Sequence, residues 1–284
     1  MGFTFALPGL ALLLVFLAIP FAMAIGLSFT NLRLGSPLGI RWVGLENYTE
    51  TLGDADFWKA FFNNVWFAAI VVPIQTALAL WLAIIVNQKI RGIKVFRAIY
   101  FAPVVVVMAV AATIWLLLYS PDRGLINGFL RFVSFGAIES EWLDSTTMAL
   151  PAIMIMSIWQ GVGFQMVILL AGLQDIPNEL YDAAAIDGAS RWEQFRFVTV
   201  PQLRNTLIFV VTVTSILAFR LFDQVWVMTR GAPLGSTRTM MLEMVEVGFE
   251  RQQIARGSAI AVIFFLIVLT ATLVQRMVLK EEGN

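Results

Sequence analysis

The chain has 284 residues but no cysteine and no histidine, and only 13% of its residues are charged. Without cysteine it can form neither a disulfide nor a thiolate zinc site. Without histidine it lacks the commonest general base and the commonest metal ligand. The formal net charge is +0, which gives no sign of a nucleic-acid partner. We therefore expect no metal or cofactor in this chain and no enzyme of the usual kinds.

Apolar residues instead make up 59% of the chain, and the mean hydropathy of the chain is +0.82. A membrane-spanning helix needs roughly 20 mainly apolar residues. The first such stretch is uncharged from Phe3 to Leu32, too long for a signal-peptide core, so we expect it to remain as a span. The sequence predicts a single all-α domain, 1–284, a polytopic membrane bundle of six transmembrane helices. The predicted spans are 5–29, 60–86, 98–119, 148–173, 205–228 and 257–278.

A polar stretch at 174–203 separates the fourth and fifth predicted spans. Pro177 precedes a run that favours helix, and Gly188 interrupts that run. Ser190 with Glu193 fits a capping box at the start of a second helix, which Pro201 is expected to end. The pattern predicts two short helices with a bend at residues 187–189. Their apolar side chains can face either the bilayer surface or a groove in a partner protein.

Two segments of this stretch, LYDAAAIDGA at 180–189 and FRFVTVP at 195–201, closely resemble the "EAA" loop of bacterial ABC importer permeases. The resemblance is to the carbohydrate-uptake group that includes the maltose and glycerol-3-phosphate permeases. It extends from VGLENY at 43–48 to the last apolar segment. Asp182 stands where the family usually has Glu, so a salt bridge to an ATPase arginine would have to be made from one methylene closer, or by the neighbouring Glu179 instead.

The resemblance implies a type I ABC importer permease fold, in which this loop forms a cytoplasmic coupling helix lodged in a separate ATPase. The implied partners are a second permease subunit, a homodimeric cytoplasmic ATPase that binds ATP and Mg, and a periplasmic or lipid-anchored substrate-binding protein. The chain has no phosphate-binding Gly-x-x-x-x-Gly-Lys-Ser/Thr motif of its own. The residues implied to couple to the ATPase are Tyr181, Asp182, Ala183, Ala184, Asp187, Gly188, Ala189 and Trp192.

The orientation in the membrane rests on the loop 87–97, which is short, carries Lys89, Arg91, Lys94 and Arg97, and has no acid. Lys and Arg are equally numerous on the two sides, but short loops weigh most in the positive-inside rule. We therefore predict that this loop, the 174–203 loop and both termini face the cytoplasm. The expected location is the bacterial cytoplasmic (inner) membrane, with membrane lipid around the spans.

Polar side chains inside the spans are the candidates for solute binding, because burying them in a membrane is costly. Arg220 and Asp223 are three residues apart and are predicted to share one face of span five, either as a mutually satisfied pair or as solute contacts. Glycines in span four can instead serve helix packing, and Asn63, Asn64 and Gln75 are predicted to form interhelical hydrogen bonds. With the positions that the maltose permease relationship implies, the candidate solute-binding residues are Ser157, Gln160, Gly161, Phe164, Thr214, Arg220 and Asp223, with Ala218 beside them.

A second kind of function stays open at this stage. A secondary transporter or channel subunit driven by an ion gradient would use unpaired carboxylates inside the membrane. Asp223 is the only acid well inside a predicted span, and Arg220 is its expected partner. The sequence does not identify the solute, which could be a sugar, a polyol or a glycerol phosphoester.

Overall fold

The structure is a computed structural model that describes residues 2–88, 92–135 and 140–279. Within these ranges the regular structure is helical, apart from a single bridge between Thr30 and Trp42. Lys89 and Arg91 of the predicted basic loop, and Lys280 of the tail, lie outside the described residues. The helices are α1 Gly2–Leu13, α2 Ile19–Ser28, α3 Glu46–Gly53, α4 Ala55–Val86, α5 Ile93–Val105, α6 Met108–Leu118, α7 Leu125–Val133, α8 Ala149–Gln174, α9 Asn178–Ile186, α10 Arg191–Gln194, α11 Val200–Gln202, α12 Arg204–Phe219, α13 Asp223–Met228, α14 Met240–Val245 and α15 Ile254–Leu279.

Three wider π turns join some of these helices end to end. They are Leu14–Ala18, Phe195–Thr199 and Glu246–Glu250. The contacts divide the chain into two units. One comprises Met1–Phe62 with Arg238–Thr270, and the other Asn63–Thr237 with Ala271–Asn284.

The apolar segments confirm the all-α membrane fold, with one change. Among the described residues, five segments are long and apolar enough to cross a membrane as helices, and a bent pair makes a sixth. The five are Ala6–Ser28, Ala55–Val86, Ala149–Gln174, Arg204–Met228 and Ile254–Met277.

The third predicted span, 98–119, is not one straight helix. Helices α5 and α6 meet at an angle of 99°, and Val106 between them is extended, with φ −76° and ψ 129°. The sequence here is four consecutive valines, Val104–Val107. Branching at Cβ disfavours helix and favours extended backbone, and Pro103 lies just before the run. The predicted span at 98–119 is therefore two helices with a sharp bend between them.

The fifth span is also interrupted, where the sequence predicts a single face carrying Arg220 and Asp223. Helix α12 ends at Phe219 and α13 begins at Asp223, with Phe222 in a non-helical conformation (φ −142°, ψ −63°). Asn64 of α4 donates its side-chain amide to the Phe219 carbonyl at 2.9 Å. A neighbouring helix thus satisfies a carbonyl at the break, which is how broken helices are tolerated inside membranes. This bond also confirms the interhelical role predicted for Asn64.

The second unit has an apolar core in which helices α4, α8 and α12 pack together. Ala79 and Ala83 of α4 pack with Leu169 and Leu173 of α8 and with Val210 of α12. Helix α5 crosses α8 at Gly163, where an added Cβ would lie 2.2 Å from the Tyr100 carbonyl oxygen. This glycine therefore serves close helix approach, as the packing interpretation of span four predicts.

The first unit has a separate core and a buried charge cluster. Phe57, Ala60, Met240, Val247 and Ile260 form the apolar part. Arg238, beside this core, forms ion pairs with three carboxylates. They are Asp56 at 2.9 Å, Glu243 at 2.5 Å and Glu246. Burial raises the pKa of the Glu243 carboxyl, although Arg238 opposes the shift.

Candidate functional site

The 174–203 stretch forms two helices with a bend between them, as predicted. Helix α9 ends at Ile186, and Gly188 has φ +83°, a left-handed conformation that glycine adopts at little cost. Ser190 caps α10, and its backbone N–H donates to Glu193 Oε2 at 2.7 Å to complete a capping box. These hydrogen bonds from Ser190 lower the pKa of the Glu193 carboxyl. Because both Gly188 and the cap act locally, the sequence was sufficient to predict this bend.

Pro201 does not end the second helix. The helical path continues through the π turn Phe195–Thr199 into α11, where Pro201 is in the first turn. A π turn is wider than an α turn, so it relieves the clash that a proline ring makes with the carbonyl four residues earlier. The helical path reaches Leu203 and continues into α12.

The residues predicted to couple to an ATPase do not all point the same way. Asp182, Ala183, Asp187 and Gly188 are exposed, Ala184 and Ala189 are partly buried, and Trp192 is 66% exposed. Tyr181 instead packs against the apolar core of the second unit. Its hydroxyl lies 3.0 Å from the buried Thr199 hydroxyl. Both border a cavity of about 260 Å³ beside α4 and α8. Tyr181 therefore fixes α9 to the spans.

Ile186 is a surface residue of this loop that the sequence reasoning missed. It is the last residue of α9, and 87% of it is exposed. An isoleucine directly after three alanines in an otherwise polar stretch was the available signal. With Trp192 it gives the outer surface of the bend two large apolar side chains. We call Asp182, Ile186, Asp187, Gly188 and Trp192 the coupling surface, after the role that the sequence predicts for four of them.

Six of the seven predicted solute-binding residues line one cavity of about 240 Å³ in the second unit. It lies between α4, α6, α8, α12 and α13. Its lining is Phe67, Val71, Gln75, Met108, Ser157, Gln160, Gly161, Thr214, Leu217, Ala218, Arg220, Asp223 and Gln224.

Phe164 is the predicted residue that lies outside the lining. It is 42% exposed and lies one turn of α8 nearer the 174–203 loop. In its place the cavity has Phe67 of α4 as an aromatic wall. The sequence reasoning did not name Phe67, because spacing along one helix does not reveal which face of another helix meets it.

Hydrogen bonds fix part of the cavity wall. Gln224 of α13 donates to Ser157 of α8 at 3.2 Å, and Gln165 donates to Thr214 at 2.5 Å. Ser157 and Thr214 also donate to carbonyls of their own helices. These bonds join α8 to both halves of the broken fifth span, so the two hydroxyls have structural partners as well as cavity exposure.

Arg220 and Asp223 both border the cavity, but they are not an ion pair. In the part of the chain that the structure describes, neither side chain has an ion-pair partner within 4.0 Å or a side-chain hydrogen bond. The predicted pairing is therefore wrong, because the helix break at 220–222 removes the i, i+3 relationship. A guanidinium and a carboxylate are both left facing an open volume.

The whole chain matches a known family. Residues 1–281 match the model of the binding-protein-dependent transport system inner membrane component. The chain belongs to this family of ABC transporter permeases. The predicted identification as an importer permease of the carbohydrate-uptake group is confirmed.

Among the relatives of this permease is the trehalose/maltose transport system permease protein MalF of Thermococcus litoralis. It is 35% identical over 274 residues, covering 96% of this chain and 92% of that protein. A probable ABC transporter permease of Pyrococcus horikoshii is also 35% identical, over 95% of this chain and 92% of its own length. The diacetylchitobiose uptake system permease protein NgcF of Streptomyces coelicolor is 32% identical, over 97% and 82%.

The fold of the permease is also found in a solved structure. The crystal structure of a bacterial ABC transporter involved in the import of the acidic polysaccharide alginate contains a chain that matches with a TM-score of 0.85. The match covers 99% of this permease and 96% of that chain, at 18% identity. At that identity the likeness establishes the shared fold.

Proposed function

We propose that this permease is one of the two transmembrane subunits of an ATP-driven importer for a sugar or a related hydroxyl-rich solute. The cavity carries this proposal. It presents amides, hydroxyls, a guanidinium and a carboxylate beside the Phe67 ring. Amides and hydroxyls suit sugar hydroxyls, and an aromatic face suits the C–H surface of a sugar ring. Relatives named for trehalose/maltose and diacetylchitobiose transport support the same solute class.

The coupling surface supplies the second half of the proposal. A cytoplasmic ATPase dimer would bind ATP and Mg and hold this surface in its cleft. Tyr181, through its contact with Thr199, joins α9 to the π turn at Phe195–Thr199. A displacement of α9 by the ATPase would therefore pass directly to α11 and α12. The cavity would then open alternately to each side of the membrane, as rigid-body alternating access requires.

The remaining partners follow from the family. The solved alginate transporter includes a complex with a pentasaccharide-bound periplasmic protein. We infer that a substrate-binding protein, periplasmic or lipid-anchored, delivers solute to this permease on the side opposite the coupling surface. A second permease subunit would complete the pathway. The basic loop, including Lys94 and Arg97, would face the cytoplasm with both termini.

The experiment is uptake by the purified complex in proteoliposomes, with and without ATP inside, for a panel of labelled sugars, polyols and glycerol phosphoesters. We expect uptake only with ATP, with the binding protein present, and for members of one hydroxyl-rich class. Asp223, as an unpaired carboxylate inside a span, is the feature that an ion-driven carrier would use. Uptake without ATP that an ionophore abolishes would therefore contradict the proposal and favour the ion-driven carrier.

A further inference from the structure

Helix α7, between the third and fourth spans, has its apolar side on the outside. Phe129 is 66% exposed and Phe132 is 81% exposed, and Leu125, Gly128 and Val133 are exposed with them. At 100° per residue these five positions occupy one continuous side of the helix. That side carries no charged residue and no hydrogen-bonding side chain. We call it the α7 apolar face.

The opposite side of α7 is held by hydrogen bonds. Asn127 is fully buried and donates to the Ser140 carbonyl at 2.9 Å, while the Trp142 indole donates to Asn127 Oδ1 at 2.9 Å. Arg131 donates to the Asp122 carbonyl at 3.0 Å. These bonds fix the rotation of the helix about its axis. The apolar face therefore cannot turn inwards without leaving the buried Asn127 amide unsatisfied.

The position of α7 is fixed at the ends of two apolar spans. Helix α6 ends at Leu118, and the chain turns tightly, with the Gly124 N–H donating to the Ser120 carbonyl at 2.9 Å. The Tyr119 hydroxyl donates to the Ala152 carbonyl in the first turn of α8 at 3.0 Å. Because α8 leads to the coupling loop at its other end, α7 and the coupling surface lie at opposite ends of the same long helix.

We propose that α7 lies in the plane of the membrane surface and binds the lipid leaflet opposite the coupling surface, with Phe129 and Phe132 inserted between headgroups and acyl chains. Amphipathic helices of this kind bury their apolar face about 5–10 Å into that boundary. Lipid is the occupant because α7 begins seven residues after the end of α6, the second half of a membrane span, and because its outer face carries neither charge nor polar groups. A protein docking site at that level would include polar groups at its rim.

This inference goes beyond the transport function and does not depend on it. The contact would hold the ends of the third and fourth spans at a fixed depth in the leaflet. Motion started at the coupling surface would then rotate the spans about this anchor rather than shift them across the bilayer. The natural absence of cysteine makes the test direct, because a single introduced cysteine is the only site of labelling on this chain.

The experiment uses the assembled complex in phospholipid nanodiscs with a nitroxide label on F132C, and on E141C as a matched exposed position on the same loop. Electron paramagnetic resonance power saturation measures the collision of each label with oxygen, which concentrates in lipid, and with a water-soluble nickel chelate. We expect the ratio of oxygen to nickel accessibility at position 132 to be several-fold higher than at position 141.

A second labelling position guards against a local packing defect in the first. Apart from its chain neighbours and the backbone of α7 itself, no described atom lies within 4 Å of a Cβ built on Gly128. G128C therefore places a label on the same face without a clash, and we expect the same high ratio there. Ratios at 128 and 132 as low as that of a label in water would place the face in water and overturn the proposal. Low accessibility to both reagents at 128 and 132 would mean that a protein covers the face, which would also overturn it.

Discussion

Gly161 of α8 leaves the space that the Gln75 side chain of α4 occupies. A Cβ at Gly161 would lie 2.5 Å from Gln75 Nε2 and 3.2 Å from its side-chain carbonyl carbon. Gln75 is 7% exposed and borders the cavity, and the structure gives its side chain no hydrogen bond. Its predicted role as an interhelical hydrogen bond is therefore not what the structure shows. The Gln75 carboxamide borders the cavity and has no hydrogen-bond partner among the described residues, so its N–H and C=O groups are open to a solute hydroxyl.

We predict that Gly161→Ala raises the apparent KM for solute uptake by about tenfold, because crowding of this size costs roughly 1–3 kcal/mol. The added methyl group would push the Gln75 amide out of position. Gln75→Ala alone should weaken uptake through loss of the contact. The double variant should be no worse than Gln75→Ala, because no amide is left to displace. Losses that simply add in the double variant would contradict the contact.

For Arg220 and Asp223 we predict independent roles. Arg220→Gln and Asp223→Asn should each raise the apparent KM about tenfold or more, since hydrogen bonds to charged groups contribute roughly 1.5–3 kcal/mol. The charge exchange, Arg220→Asp with Asp223→Arg, should not restore uptake, because the two groups do not pair. Uptake kinetics with fixed ATP is the measurement. Full recovery in the exchanged variant would show that the pair exists in the working complex.

Gly188→Val should abolish ATP-driven uptake. Its φ of +83° is strained for a β-branched residue, so the bend between α9 and α10 would change direction. Gly188→Asn is the matched control, because asparagine tolerates this conformation, and it should keep most of the uptake. Both variants should insert into the membrane at normal levels, as measured by quantitative blotting of membrane fractions. Normal uptake by Gly188→Val would show that the bend is not required for transport.

The Ser190–Glu193 capping box predicts a pH dependence confined to α10. The hydrogen bonds lower the folded-state pKa of Glu193, so the stabilisation is present above the unfolded pKa and is lost as pH falls through the lowered folded value. Amide hydrogen exchange at residues 191–194, corrected for intrinsic rates, should therefore quicken at acid pH. Glu193→Ala should show the faster exchange already at neutral pH and little further change. An unchanged profile in Glu193→Ala would show that another group is responsible.

Tyr181 and Thr199 provide a test of transmission. Tyr181→Phe removes the hydroxyl contact and keeps the ring in the apolar core. We expect the variant to retain ATPase binding, since Tyr181 faces away from the coupling surface, but to move less solute per ATP hydrolysed. Measuring both rates in the same proteoliposomes gives that ratio. Thr199→Val should produce the same change, and loss of ATPase binding in either variant would count against this role.

The sequence alone predicted the features that local chemistry decides. The lengths of the apolar segments predicted the spans, and Gly188 with the Ser190–Glu193 pair predicted the bend. Each of these features depends only on residues close together in the chain. The break at 220–222 was missed, because the hydrogen bond that satisfies its Phe219 carbonyl comes from Asn64, more than 150 residues away. Phe164 was misplaced and Phe67 overlooked for the same reason, because cavity membership depends on how separate helices are rotated and how far the cavity extends along them.

The most direct test of the central proposal is cross-linking from the coupling surface. A photo-reactive label on I186C, in a chain that has no other cysteine, should form a covalent product with the ATPase subunit in the intact complex. E141C, in the loop between α7 and α8 on the opposite side, should form none. A label at 186 that reacts only with lipid, or that a membrane-impermeant thiol reagent blocks from outside intact cells, would contradict coupling through this loop.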